Sequence, residues 1–370
     1  MKEVEQVLME KEADSVNKGG STIDIGMLEQ ETVQLDKEKE QSKITIADVA
    51  EALGVSKTTV SRAISGKGRI GEQTRQRVLA YIKENHYRPN VVAKGLAKSR
   101  TYNIGWVIPG DSNVTDLPFF QRCMMGISEV AAAEDYDILI SMVFENDISQ
   151  LKRAVKNRKI DGIILGRTLV EDERTAYLKE SDIPFVVIGS SPDEQVIQID
   201  NDHITACKEL TSILVMKGIR KLALIGGDTN HVVNQTRRKG FEMGLMDQGY
   251  IIDPGLIYMN SESVLSIERA VDDCLRRQVE CIICMDDRIC SCVLNKLHRD
   301  EVSVPEQMKI ASFYNSVTLA SNQPAITSLQ YDPKELGIVA CKTLFDYIRG
   351  KEVPRRTALG YEVILKGSTQ

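Results

Sequence analysis

The sequence predicts an α/β protein in which a small helical head precedes two doubly wound lobes. Three observations carry that expectation. Residues 45–65 hold two short amphipathic helical patterns parted by Gly54. Positive charge is gathered in residues 43–100 of the 370-residue chain. Beyond residue 100, apolar runs of six to eight residues alternate with amphipathic helical patterns.

Thr45-Ile46-Ala47-Asp48 has the capping-box pattern, in which the Thr hydroxyl and the Asp carboxylate each satisfy the other's orphan amide. Val49, Ala50 and Leu53 then form an apolar stripe, and Gly54 supplies the residue best able to take a left-handed C′ conformation. Ser56 is an N-cap for the next helix. In that helix Val60, Ala63 and Ile64 stand at i, i+3 and i+4, while Lys57, Thr58, Ser61 and Arg62 share the other face, each with a hydrogen-bond donor. A third helix is expected from Glu72 to about Glu84, with Val78 and Ile82 inward. Two short helices joined across Gly54-Val55 have helix-turn-helix dimensions. Small three-helix bundles use the same spacing, so the donor-rich face is what points to nucleic acid.

Charge points the same way. Residues 43–100 carry 12 Lys plus Arg against 4 Asp plus Glu, a net +8. Residues 1–42 carry −6 and residues 101–370 carry −8, so an overall net charge of −6 hides one basic module. A cationic unit on an acidic body suits a phosphate backbone partner.

The run from Thr45 to Gly105 resembles the start of a LacI/GalR-type, lactose-repressor-like transcriptional regulator. The likeness rests on DVA at 48–50, GVS at 54–56, TVSRAIS at 59–65, TR at 74–75 and the YRPN-x-x-A-x-x-L pattern from Tyr87 to Leu96. The resemblance implies that Lys57 and Thr58 read bases, with Arg62 a further base contact, and that Ser56 and Ser61 touch phosphates. Lys and Arg suit guanine O6/N7, and Thr suits several bases, whereas phosphate contacts position the helix without specifying sequence. The resemblance also makes residues 90–97 a hinge helix that presents Asn90, Ala93 and Leu96 to DNA, with Leu96 a minor-groove wedge. So short a helix is marginal in water, and Gly95 costs it about 1 kcal/mol relative to Ala. It is expected to fold only on DNA.

For the core, strands are expected at 103–109, 137–144, 161–166, 184–189, 221–227, 280–285 and 308–313. Their continuous apolar character suits parallel strands covered on both faces. Helical patterns between them include 203–218 and 263–278. The length exceeds one comfortable core, so two lobes are expected. The resemblance implies a periplasmic-binding-protein-like core with a cleft between the lobes. The first lobe is then 101–200 plus 330–349, and the second 201–329 plus 350–370.

Effector residues are implied by matching motifs. Phe119 and Phe120 fall in an aromatic segment, Arg237 in the N-x-x-R-x-x-G-F run from Asn234 to Phe241, and Asp287 in an acidic pair with Asp286. His231 and Asn234 join them by proximity. Phe120 and Phe241 are equally readable as core, and Asp286 as a helix cap. Where the family usually has an Asp, this chain reads Ser312-Phe313-Tyr314-Asn315, so Tyr314 replaces a carboxylate. A carbohydrate is the implied effector class, with a modified, anionic or nucleobase-like ligand, or no small ligand at all, left open.

Cys281, Cys284, Cys290 and Cys292 cluster, but their strand and helix positions point them apart, so neither metal nor any cofactor is expected. There is no signal-peptide pattern and no apolar run of about 18 residues. A cytoplasmic location with reduced thiols is expected. Residues 1–42, acidic and without sustained periodicity, are expected to be disordered. GxSxG, P-loop, GxGxxG after a strand, HExxH and kinase signatures are lacking, and the four His are scattered. The expected protein is a homodimeric repressor on a pseudo-palindromic double-stranded operator, not an enzyme. The alternative is a cytosolic small-molecule-binding protein without specific operator binding.

Overall fold

The computed structural model describes residues 44–66, 68–87, 95, 99–110, 117–144 and 147–370. The extension 1–42 and the hinge positions Asn90, Ala93 and Leu96 lie outside the described residues. The chain divides into two units, Met1–Lys94 and Gly95–Gln370.

The first unit holds α1 (Ile46–Ala52), α2 (Lys57–Ser65) and α3 (Glu72–Glu84). Val49 and Ala50 of α1, Val60 and Ala63 of α2, Val78 of α3 and Tyr87 make its buried core. The capping box forms: Asp48 Oδ2 accepts from Thr45 N at 2.7 Å, and Thr45 Oγ1 accepts from Asp48 N at 3.4 Å. Those bonds from Thr45, more than the charge of Lys57, hold the Asp48 carboxyl below its ordinary range. Gly54 adopts φ +63° between α1 and α2, where a Cβ would be strained. Two arginines of α3 finish the caps, Arg77 donating to Leu53 O at 3.3 Å and Arg75 to Gly66 O at 3.2 Å.

The second unit contains two six-stranded sheets. The first uses β1 (Asn103–Pro109), β2 (Asp137–Val143), β3 (Gly162–Leu165), β4 (Phe185–Ile188) and β5 (Gln198–Asn201). Its order is completed at one edge by β11 (Arg356–Leu359), and every pairing is parallel. Helices α4 (Leu117–Ala133), α5 (Ser149–Lys156) and α6 (Glu173–Glu180) connect these strands. The second sheet uses β6 (Leu222–Ile225), β7 (Ile257–Tyr258), β8 (Cys281–Cys284), β9 (Lys309–Ser312) and β10 (Thr327–Gln330). There only β12 (Glu362–Ile364), on β10, runs antiparallel. Its helices are α7 (His203–Met216), α8 (Val232–Asp247), α9 (Val264–Arg276), α10 (Asp287–Arg299) and α11 (Val317–Ser321), and α12 (Pro333–Ile348) returns to pack on α4. Strands β3, β4, β6 and β8 are buried almost throughout, as covered parallel sheets require.

One expectation is corrected. The sequence places residues 350–370 in the second lobe, yet β11 pairs with β5 in the first sheet, Arg356 opposite Gln198. The chain crosses only after Leu359. The reason is physical: β11 is a half-exposed edge strand, and it lacks the apolar run that marks a central one. The chain therefore passes between lobes three times, after β5, β10 and β11.

Each lobe has one unusually close helix pair. A Cβ on Gly126 of α4 would sit 2.0 Å from Lys334 O, and one on Gly337 of α12 would sit 2.1 Å from Cys123 O. In the other lobe, Gly240 and Gly244 of α8 bring it against α7, with 2.6 Å to Ile204 O and 2.7 Å to Lys208 O. Small residues there let the helix backbones touch. Among the described residues no helix is long and apolar enough to cross a membrane. Gly337→Ala is expected to lower stability by about 1–3 kcal/mol through overpacking, read as a lower urea midpoint; an unchanged midpoint would refute the close-packing account.

Candidate functional site

On the head, α2 sets its polar face outward. Lys57, Thr58, Ser61 and Arg62 are all exposed, while Val60 and Ala63 are buried beneath them. Ser56 Oγ accepts from Thr59 N at 3.1 Å as the N-cap, which fixes the start of the helix. The Arg62 stem lies against Gly68, where a Cβ would come within 3.2 Å of its Cδ. The face therefore offers two cations and two hydroxyl groups on successive turns, the spacing a groove-lying helix needs.

In the core, the cleft lies between lobes at the carboxyl ends of the parallel strands, the position where open α/β sheets bind ligands. At its lip the lobes touch through main chain. Leu169 and His231 form an antiparallel bridge, Val170 N donates to Asn230 O at 2.9 Å, and Val232 N donates to Thr168 O at 3.3 Å. Asp172 shapes the loop carrying Leu169, accepting from Leu169 N at 3.3 Å and from Arg174 Nε and Nη2 at 2.7 Å each. Gly189 (φ +119°) leaves room for Thr168, whose Oγ1 lies 2.9 Å from where a Cβ would stand.

Deeper in, Arg237 is 8% exposed and donates from Nη1 to Met285 O at 2.7 Å, while its buried Nε has no partner. Tyr314 meets Phe119 edge to face at 6.3 Å and lies nearly parallel to Tyr331 at 6.3 Å. Burial pushes the Asp287 carboxyl up from 3.8, against a bond from Ser316, and burial also pushes up the Tyr314 phenol, with Asp287 adding to it. Asn234 Nδ2 donates to Asp228 O at 2.8 Å and so holds the loop before α8.

Behind these lies a buried relay absent from the sequence reading. Asp200 accepts from Ser190 Oγ and Asn201 N, both at 2.8 Å, and stands 3.4 Å from His203 Nε2. His203 Nδ1 lies 3.1 Å from Tyr331 Oη. A neutral imidazole protonated at Nε2 satisfies both contacts, a tautomer assigned from this network. Burial holds the His203 pKa down from 6.5, although Asp200 opposes it. Burial alone would raise Asp200, but His203, Ser190 and Asn201 together lower it. The relay joins the first sheet to the crossing segments after β5 and β10. Its sequence signal was weak: QIDND reads as a polar loop.

The structure sorts the expected cleft residues. Phe119, Arg237, Asp287 and Tyr314 come together. His231 sits at the lip, its Nε2 3.9 Å from Asp228. Phe120, open to either reading, is 6% exposed and packs on Trp106 at 6.4 Å, with Arg167 over its ring at 5.7 Å. Phe241 is core as well, at 1% exposed. Asp286 caps α10, accepting from Ile289 N at 2.7 Å. Of the cysteines, Cys281 and Cys284 lie in β8, and Cys290 and Cys292 lie in α10. All eight are free, and burial pushes Cys274 and Cys341 up to about 12.

The family model "Bacterial regulatory proteins, lacI family" matches residues 45–90, and "Periplasmic binding proteins and sugar binding domain of LacI family" matches residues 101–365. The chain is 30% identical over 333 residues to the HTH-type transcriptional regulator MalR of Streptococcus pneumoniae, covering 87% of this chain and 99% of that protein. It is 28% identical over 332 residues to catabolite control protein A of Staphylococcus xylosus, covering 88% and 99%. Among solved structures, a transcriptional regulator CelR–cellobiose complex superposes with TM-score 0.66 at 25% identity over 88% of this chain and 99% of the other. A lac repressor dimer bound to operator and anti-inducer superposes at TM-score 0.75 and 21% identity, over 89% and 99%, a likeness of fold.

The relay yields a pH prediction. His203 has a lowered pKa when folded, so the unfolded chain binds the extra proton below 6.5. The stability it confers is complete above 6.5 and lost as pH falls toward the folded value, with a slope of at most about 1.4 kcal/mol per pH unit for one proton. Melting between pH 7 and 5 should show that decline, and His203→Gln should flatten it. An equal slope in the variant would count against the relay.

Proposed function

The chain belongs to the LacI family of bacterial regulatory proteins, and from that membership we propose one function for its two surfaces. The head binds a pseudo-palindromic operator as a repressor, and a sugar held in the cleft adjusts that affinity. The observation that carries the reading is the pairing of a donor-lined α2 with a polar, aromatic interlobe cleft in one chain.

Lys57, Thr58 and Arg62 read base edges in this account, while Ser56 and Ser61 contact phosphates. Asn90, Ala93 and Leu96 supply the hinge contacts. In the cleft, the unpartnered Nε of Arg237 and the Asp287 carboxylate offer a donor and an acceptor to ligand hydroxyls, and Phe119 and Tyr314 offer apolar faces to a sugar ring. Phe120 supports that aromatic wall from within the core, and His231 and Asn234 set the lip. We read this as a binding site and not a catalytic one. The sugar named for the CelR complex and the operator named for the lac repressor dimer support the pairing of ligands.

A homodimer supplies two heads to the two half-sites. Exposed apolar side chains support self-association: Ile140 (49%) and Met142 (41%) on the edge strand β2, and Val264 (55%) and Leu265 (56%) on α9. Effector and operator then influence each other by a coupling free energy, typically about 1–3 kcal/mol. No membrane role is assigned, and a cytoplasmic location fits an operator partner.

The experiment is footprinting of the full chain on the DNA upstream of its own gene at low salt, where protection of an inverted repeat is expected. Unprotected DNA at about 50 mM salt, where phosphate contacts bind tightest, would leave the sugar-binding-protein reading in its place. Arg62→Ala should cost about 1–3 kcal/mol and relax preference at one base position. Sugar affinity should fall on acidification at a pH above the ordinary carboxylate value of 3.8, because Asp287 is raised and accepts most strongly when ionised. Asp287→Asn should bind more weakly and without that pH dependence; a wild-type profile in the variant would remove Asp287 from the site.

A further inference from the structure

One carboxylate holds the residues that open the core. Asp161, just before β3, accepts through Oδ1 from Thr101 N at 2.7 Å and from Thr101 Oγ1 at 2.9 Å. Its Oδ2 accepts from Tyr102 N at 3.1 Å. Asp161 N donates to Asn103 O at 2.8 Å, and Asn103 N donates to Thr101 Oγ1 at 3.1 Å. Three donors on one charged acceptor fix both the position and the direction of the chain.

The backbone held in this way is strained. Ser99 and Tyr102 adopt φ +52° and +56°, a left-handed region that residues with a Cβ rarely enter. Such conformations persist only where the surroundings over-determine them, and they gather at switch regions. At Tyr102 the surroundings are Asp161, Asp137 N, which donates to Tyr102 O at 2.9 Å, and the Tyr136 ring at 5.3 Å. Arg100 donates from Nη2 to Ile348 O at 3.4 Å and from its main-chain N to Gly95 O at 3.0 Å. A Cβ on Gly95 would stand 2.4 Å from Arg100 O. That close approach accounts for a glycine that a short helix by itself disfavours.

The strand that follows Asp161 gives this clamp its reach. Strand β3 lies between β4 and β1 in the first sheet, and all four of its residues are buried. Asp161 stands at its amino end. Past its carboxyl end, Gly166 N donates to Val107 O at 2.8 Å, and the chain enters Thr168–Val170. That segment carries the main-chain contacts to Asn230, His231 and Val232 of the second lobe. One buried strand thus has the interlobe contact at one end and the start of the core at the other.

We propose that Asp161 is the positioning residue through which the arrangement of the lobes sets the placement of the head. A shift at the Leu169–His231 lip moves β3, and the carboxylate carries that movement to Thr101 and Tyr102. The proposal rests on the operator-binding reading above and adds the residue that couples the lobes to it.

The test locks the lip without any effector. Leu169 and His231 form a non-hydrogen-bonded antiparallel pair, with about 4.5 Å between Cα atoms, a separation that a disulfide spans. The full chain carrying Leu169→Cys and His231→Cys is treated with oxidised glutathione or kept reduced. Retardation of the DNA upstream of its own gene is then measured in each state. The unsubstituted chain, taken through the same oxidation, controls for its eight native cysteines. Locking should change operator affinity at least about fivefold, the lower end of ordinary coupling. Asp161→Asn, whose amide offers one acceptor oxygen where the carboxylate offers two, should shrink that change to less than about twofold. A second variant, Thr101→Val, removes one donor and should shrink it by a smaller factor. A merely structural Asp161 would lower the melting temperature of the variant yet leave the change on locking intact. No change on locking, or an equal change in both variants, would overturn the proposal and leave operator binding standing. An unsubstituted chain that retards no DNA would overturn both.

Discussion

Parallel strands buried on both faces constrain everything else in the core. With their faces covered by helices, β3, β4, β6 and β8 have no room for polar chemistry along their length. Functional groups must stand just past the carboxyl ends, and they do. Thr168 follows β3, Ser190 follows β4, Met285 through Asp287 follow β8, and Tyr314 follows β9. Two such sheets facing each other create a cleft whose walls are all loops held by rigid strands. Precision comes from the strands and chemical variety from the loops.

The lobes are not joined by packing alone. Three crossing segments form a hinge on one side, and the Leu169–His231 bridge closes the lip on the other. Between them the Asp200–His203–Tyr331 relay ties the first sheet to two of the crossings. A ligand in the cleft therefore presses on elements with few alternative arrangements, which is how a small contact becomes a change of state. The close glycine contacts of α4 with α12 and of α7 with α8 pack the helices of each lobe backbone to backbone.

The head obeys a different economy. Among the described residues six side chains of the head form its buried core, and caps add to its stability. Thr45 and Asp48 begin α1, Ser56 begins α2, and Arg75 and Arg77 reach back from α3 to the carbonyls that end those helices. Two arginines of a basic surface thereby serve structure, which leaves Lys57 and Arg62 as the exposed cations of α2.

Much of this was legible in order along the chain. Caps, the Gly54 turn, the three head helices and the long apolar strands depend on interactions within a few residues, and their periodicities are written locally. The N-x-x-R-x-x-G-F run could be matched, but its glycine is explained only by α7 lying against α8. What local pattern could not supply was partnership. Strands β5 and β10, reading QIDN and TSLQ, are buried despite their polarity because neighbours satisfy them. Strand β11 joins the first sheet only because β5 offers it an edge. Arg122 shares a cavity with Glu362, across 240 residues of chain. Hydrogen-bond satisfaction and cleft geometry are properties of pairs distant in sequence, so they come into being only when the chain has closed on itself.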